Sequence, residues 1–292
     1  MKKNNLYILF SLIALALFLF LPAPKKEIAH KPSQINNPAP DIEAKAALAE
    51  DLLLGEVLFS KNSSEVLPLA SITKIITLLA VFDKVAFGEE VAVSQAAVLT
   101  SEPSSLRVGE HFSARDLAAM AMAESSNDAT YALFEHTYIK NQITDELAEA
   151  WFLDSMRQKA EVLGAKSMNF YNITGLDVSK SASGTYGSVE DVMKIAQASL
   201  DSPIWQLGAV HEIVSKEGIK HKLKPTNKLG PELTPLVGSK TGYTDLAGGN
   251  LLVIVEYPIG RPLGIVVLGS SEEGRFEDVK KVLEWIKSQK PL

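Results

Sequence analysis

The chain has 292 residues, 46% of them apolar and 22% charged, with a formal net charge of -6 and no cysteine. That length and apolar share support a folded body with a sizeable core and exclude wholesale disorder. The missing cysteines exclude disulfides, thiolate catalysis and cysteine metal sites, and the acidic balance argues against nucleic acid as a partner.

Lys2 and Lys3 precede an apolar run over residues 6–21, which Pro22 ends. A positive segment followed by an apolar one is the pattern of a secretory signal. The run is shorter than the roughly 20 residues of a full membrane span. Ala23 is followed by Pro24 and has Leu21 two positions before it, a poor cleavage site. Residues 1–21 are therefore read as an uncleaved signal-anchor that tethers the protein to the cytoplasmic membrane, with the lysines inside. A cleaved signal would make it secreted; either way it works outside the cytoplasm. Residues 22–40 carry five prolines and read as an extended linker. The folded body is expected over residues 41–292.

Within that body, residues 42–50 are alanine-rich and predict a helix. Residues 51–59 predict a strand pair turning near Leu54-Gly55, and residues 60–68 a polar loop. Residues 70–87 predict a strongly apolar helix with Gly88 as its C-cap. Ser113 is placed as the N-cap of a helix to about Glu124, and helices follow over residues 128–138 and 145–163. Ser188 caps another, with Glu190 and Asp191 in its first turn. Beyond Asp201 the character changes. Residues 211–224 alternate around Glu217-Gly218, a hairpin signal. Residues 236–239, 249–256 and 263–269 are strand-like, with a tight turn at Gly260-Arg261 between the last two. Residues 277–288 predict an amphipathic closing helix. The predicted class is α+β: one antiparallel sheet built from both chain ends, with flanking helices and an all-helical part inserted over about residues 70–200. The cleft between the two parts is the natural place for a site.

Three short patterns carry chemistry. Ser71 and Lys74 stand one helical turn apart at the start of the apolar helix, on one face. A serine hydroxyl is a weak nucleophile until a neighbour takes its proton, and a lysine whose charge is disfavoured by burial or a nearby cation can do so. Ser125-Ser126-Asn127 interrupts an apolar helical run with polar side chains that need partners or a cavity. Lys240-Thr241-Gly242 lies on a strand-like run whose small residues allow close backbone approach to a ligand. Each pattern alone is weak: a solvated lysine, a helix junction and an edge-strand turn are the bland alternatives. Their conjunction in this order is what the penicillin-recognising fold requires.

With these stretches in view, the chain resembles the D-alanyl-D-alanine carboxypeptidase family of low-molecular-weight penicillin-binding proteins. Pro68-Leu69-Ala70-Ser71-Ile72-Thr73-Lys74, Ser125-Ser126-Asn127-Asp128-Ala129 and Asn172-Ile173-Thr174-Gly175-Leu176-Asp177 are similar to family signatures. So are Gly238-Ser239-Lys240-Thr241-Gly242-Tyr243-Thr244 and Ala247-Gly248-Gly249-Asn250-Leu251, and the similarity runs from about Ala47 to Ile286. The resemblance implies a serine peptidase acting on peptidoglycan stem peptides, inhibited covalently by β-lactams and needing no metal or cofactor. In it Ser71 attacks, Lys74 takes the proton and Ser125 relays it to the leaving D-alanine. Asn127 bonds Lys74 and the substrate amide, and Lys240 and Thr241 hold the terminal carboxylate. The backbone N–H groups of Ser71 and Tyr243, beside Gly242, form the oxyanion hole, and Arg275 stands near the carboxylate.

The family's common C-terminal β-rich domain and amphipathic anchor are not expected after the last helix, which leaves tethering to the N-terminal segment. Ser126 stands where glycine or alanine is commoner. A class A β-lactamase shares the motifs but needs a water-activating glutamate, and no Glu-x-x-x-Asn lies between Ser126 and Lys240. A D,D-endopeptidase uses the same residues and stays open as an alternative. A non-catalytic wall-binding protein would have no need of the intact Ser71–Lys74 pair.

Overall fold

The computed structural model describes residues 38–100, 104–233 and 235–289. The expected signal-anchor over residues 1–21 and most of the expected linker fall outside these residues. Among the described residues, no helix is long and apolar enough to cross a membrane.

The sheet joins the two chain ends. Strands β1 (Ala46–Asp51) and β2 (Glu56–Lys61) form an antiparallel hairpin. Far along the chain come β10 (Leu236–Thr244), β11 (Gly248–Glu256) and β12 (Pro262–Ser270), in spatial order β10-β11-β12-β1-β2. β12 pairs antiparallel with β1 in a register that sets Ala46 against Leu268 and Asp51 against Leu263. The expected both-ends sheet is therefore present, and β10 and β2 are its edge strands.

The helix expected over residues 42–50 is instead strand β1. Alternation explains why. Ala46 and Leu48 belong to one hydrophobic core, while Ala47 and Ala49 belong to another on the opposite face of the sheet. Helices cover both faces: α6 (Val189–Ala198) packs on β1 and β12 from one side, and α8 (Gly274–Gln289) on β11 and β12 from the other. A central strand buried on both faces carries no polar alternation. Its alanines then mimic a helical composition, and burial overrides propensity.

The inserted part is not all helical. Short strands β3 (Leu67–Pro68), β6 (Asn169–Phe170) and β7 (Thr185–Gly187) form a small sheet, and β4 (Glu90–Ala92) pairs with β5 (His111–Ser113). Strands of two or three residues are too short for a period-2 pattern to register in the sequence. The loop expected over residues 60–68 is accordingly trimmed at both ends by β2 and β3. The helices of this part are α1 (Lys74–Phe82), α2 (Gln95–Val98), α3 (Ala114–Ala123), α4 (Asn127–Lys140) and α5 (Asp145–Val162). Ser113 and Ser188 cap α3 and α6 as expected, and Ser188 forms a full capping box with Asp191. α7 (Ile204–Leu207) and the hairpin β8 (Glu212–Val214)–β9 (Lys220–Lys222) complete the fold.

The helix expected over residues 70–87 is shorter than its apolar pattern. It opens as a 3-10 turn over Ala70–Thr73, becomes α-helical at Lys74 and is capped by Asp83, not Gly88. Phe87 instead folds back to stack on Phe82, with ring centroids 3.9 Å apart. Residues 74–81 are all buried, Lys74 included.

Candidate active site

The 3-10 turn is held open by an uncommon backbone. Ala70, immediately before Ser71, has φ +47°. Non-glycine residues rarely adopt this conformation, and surrounding contacts must hold it. Thr73 Oγ1 donates to Ala70 O at 2.6 Å, and Asn250, fully buried on β11, donates to Pro68 O at 2.9 Å. Gly175 closes the turn from outside. Its φ is +81°, and a methyl group there would lie 1.9 Å from Ala70 O.

Lys74 Nζ donates to Ser71 Oγ at 2.8 Å and to the Thr174 carbonyl at 3.1 Å. Burial disfavours its charged form and brings its pKa down to about 7. The Thr174 carbonyl sits in a turn built by Asn172, whose Oδ1 accepts from the N–H groups of Thr174 (3.2 Å) and Gly175 (2.7 Å).

Ser125 lies in the short turn between α3 and α4, also at positive φ, +62°. Its neighbour Ser126 caps α4 by accepting from Ala129 N at 3.1 Å. The polar interruption thus has two uses: Ser126 starts a helix, and Ser125 receives Lys240. Lys240 Nζ donates to Ser125 Oγ at 2.8 Å and to Thr241 O at 2.9 Å. Lys240 is 1% exposed. Burial first, and then the charges of Lys74 and Arg275, push its pKa well below that of an ordinary lysine. Two ammonium groups crowded in one buried cleft resist carrying both protons. Burial and this mutual repulsion both disfavour the doubly charged pair.

β10 passes directly along the nucleophile turn. A methyl group at Gly242 would sit 2.8 Å from Leu69 O and 3.1 Å from Ser71 N. Only a residue without a side chain lets the strand approach that closely. Tyr243, next along the strand, is 46% exposed. Thr244 Oγ1 donates to Asp177 Oδ1 at 2.9 Å, which ties the end of β10 to the loop carrying Thr174. Thr241 Oγ1 lies 2.6 Å from Thr226 Oγ1.

One expected residue lacks an anticipated bond. Asn127 opens α4 with its Oδ1 buried and without a partner, so that oxygen is not spent on Lys74. Lys74 has found the Thr174 carbonyl instead, a backbone acceptor with no residue-type signature. Arg275, expected near the carboxylate, is 6% exposed, and its Nη1 donates to Gly242 O at 2.7 Å. Its guanidinium also lies against the Phe276 ring, 4.8 Å from the centroid. Sequence reasoning misses Asn172, Thr174, Asp177, Thr226 and Asn250 as site residues. Four of them stand in or beside signature-like stretches, but their roles depend on hydrogen bonds across the fold.

The sequence profile of the D-alanyl-D-alanine carboxypeptidase family matches residues 33–272. The chain is 30% identical to D-alanyl-D-alanine carboxypeptidase DacF of Bacillus subtilis (strain 168), over 95% of this chain and 70% of that protein. It is 28% identical to a D-alanyl-D-alanine endopeptidase of Escherichia coli (strain K12), over 97% of this chain and 89% of that one. Penicillin-Binding Protein D2 from Listeria monocytogenes, solved in its ampicillin-bound form, superposes with a TM-score of 0.70 at 24% identity. That match covers 86% of this chain and 100% of the other, and shows a shared fold. The fold, the sequence match along most of the chain and the cleft geometry agree: the chain belongs to the D-alanyl-D-alanine carboxypeptidase family.

Proposed function

We propose that this protein removes the terminal D-alanine from peptidoglycan stem peptides through an acyl-enzyme on Ser71. The observation that carries the assignment is the 2.8 Å bond between Lys74 Nζ and Ser71 Oγ, made by a lysine whose burial leaves it ready to take a proton near neutrality. Ser71 Oγ bonds to the carbonyl carbon of the penultimate D-alanine while its proton passes to Lys74. The C–N bond to the terminal D-alanine then breaks, and the leaving nitrogen receives a proton by way of Ser125. Water opens the ester, and Ser71 regains its hydroxyl.

The other residues act on charge and position. The N–H groups of Ser71 and Tyr243 face the developing oxyanion, a reading supported by the approach of Gly242 to Ser71 N. Asn127 Oδ1, buried and unpartnered, suits a substrate amide N–H. Lys240 and Thr241 hold the terminal carboxylate, and Arg275 adds positive charge behind Gly242. Action lies outside the cytoplasmic membrane, where the wall is. Residues 1–21 tether the protein there as a signal-anchor, which N-terminal sequencing of the membrane fraction checks: a mature protein starting beyond Ala23 refutes retention.

Labelling with a fluorescent penicillin followed by mass mapping tests the nucleophile. A stable adduct on Ser71, absent in Ser71→Ala, is expected. Labelling elsewhere, or none, sinks the mechanism. Cleavage of cross-linked dimers is the second reading, favoured by the match to an endopeptidase over nearly its whole length. D-alanine release from a pentapeptide, compared with dimer cleavage, separates the two.

A further inference from the structure

In the proposed reaction Thr241 holds the substrate carboxylate, and the role inferred for its neighbour Thr226 rests on that assignment. Thr241 is buried, and its Oγ1 lies 2.6 Å from Thr226 Oγ1. Thr226 also reaches the last residue of α3. Its N–H donates to Ala123 O at 2.8 Å, and its hydroxyl donates to the same oxygen at 3.2 Å. Ala123 ends the helix two residues before Ser125. One side chain therefore joins the carboxylate-binding strand to the turn that carries Ser125.

Counting hydrogens gives the contact a second role. A hydroxyl has one hydrogen and two acceptor lone pairs. When Thr226 gives its hydrogen to Ala123 O, Thr241 must donate to Thr226, and the Thr241 hydrogen is turned away from any ligand. When Thr226 gives its hydrogen to Thr241 instead, the Thr241 hydrogen is released towards the cleft. A carboxylate only accepts, so it selects the second arrangement. Ala123 O keeps the Thr226 N–H in both states, so no buried acceptor is left bare.

We propose that Thr226 is a positioning residue for carboxylate recognition. Its hydroxyl accepts from Thr241 in the empty cleft and donates to it once a free α-carboxylate is bound. The ligand class is a peptide ending in a free carboxylate. The exchange costs one weak, long hydrogen bond to Ala123 O and returns a well-directed donor to the substrate.

The test compares wild type, Thr226→Val and Thr226→Ser on an acyl-D-alanyl-D-alanine peptide with a free C-terminus and on its C-terminal amide. Thr226→Val is expected to raise KM for the acid about tenfold, the loss of about one hydrogen bond, with kcat within about twofold. Its KM for the amide should stay near the wild-type value, and Thr226→Ser should recover the preference for the acid. Thermal unfolding close to wild type sets aside a folding defect. If Thr226→Val still prefers the acid as wild type does, the inference is overturned alone. It is also overturned if kcat falls equally on both peptides and serine does not restore it. A wild-type enzyme indifferent between acid and amide overturns the carboxylate reading and this inference with it, while Ser71 labelling stands independently.

Discussion

Lys240 Nζ and Ser125 Oγ lie 2.8 Å apart, although 115 positions separate them in the chain. The bond spans the cleft from the sheet edge to the α3–α4 turn. It fixes the Ser125 hydroxyl in a residue already held at positive φ. Ser125→Ala, which removes the proposed proton relay, and Lys240→Met, which removes the group holding it, are each expected to slow acylation by benzylpenicillin about 10²–10³-fold, within the usual 10²–10⁴-fold range for proton transfer. Because they share one bond, the double variant should lose little more than the worse single one. Second-order acylation constants for the four proteins decide it. Fully additive losses would show that the two side chains act separately.

In the proposed mechanism the neutral form of Lys74 is the base, and its pKa is lowered to about 7 by burial. Acylation should therefore rise with pH and level off above a midpoint near 7. A profile flat down to pH 5 contradicts this. The same shift acts on stability. The unfolded chain holds the Lys74 proton more tightly than the folded one, so stability gains between about pH 7 and the ordinary lysine value as that proton is shed. Lys74→Met removes this contribution. Its melting temperature should change less than that of wild type between pH 7 and pH 9.

Gly175 and Gly218 both have positive φ, +81° and +83°, but only Gly175 is crowded, with a methyl position 1.9 Å from Ala70 O. Gly218→Ala meets open space and should cost only about 1 kcal/mol, with full activity. Gly175→Ala must push on Ala70 and shift the Thr174 carbonyl away from Lys74. A loss of about 2–4 kcal/mol and of most penicillin acylation is expected. Denaturant titration of both variants, paired with labelling, checks the contrast.

Asp278, fully buried at the start of α8, accepts from Glu43 N at 2.9 Å, Ala44 N at 2.8 Å and Ser270 Oγ at 2.7 Å. Asp278→Ala leaves buried donors unmet and should cost about 3 kcal/mol. It touches none of the proposed catalytic groups. The fraction that folds should label at the wild-type rate, measured against active-site titre.

Ser71, Lys74, Ser125 and Lys240 were legible because chemistry demands particular side chains in a fixed order, and the structure brings them together. The long C-terminal strands were legible as runs rich in Val, Ile and Leu bounded by turns, and the helices by the serines that cap them. β1 was not, since a strand buried on both faces hides its alternation and its alanines imitate a helix. The Thr174 acceptor was not, since any residue can lend a carbonyl. Asn127 lies where its motif places it, but its Oδ1 is buried without a partner and Lys74 turns to a backbone oxygen that no residue type announces. Thr226 was invisible because its value lies in a partner fifteen positions away on another element.

The register that sets Ala46 against Leu268 also governs when the enzyme comes into being. The hairpin of β1 and β2 has no further strand to pair with until β12 arrives, and the edge strand that supplies Lys240 is made only shortly before. Contacts so distant in sequence close late. A chain made only as far as β11 thus carries Ser71 without a finished cleft, and the nucleophile stays without its partners until β12 joins the two ends of the sheet.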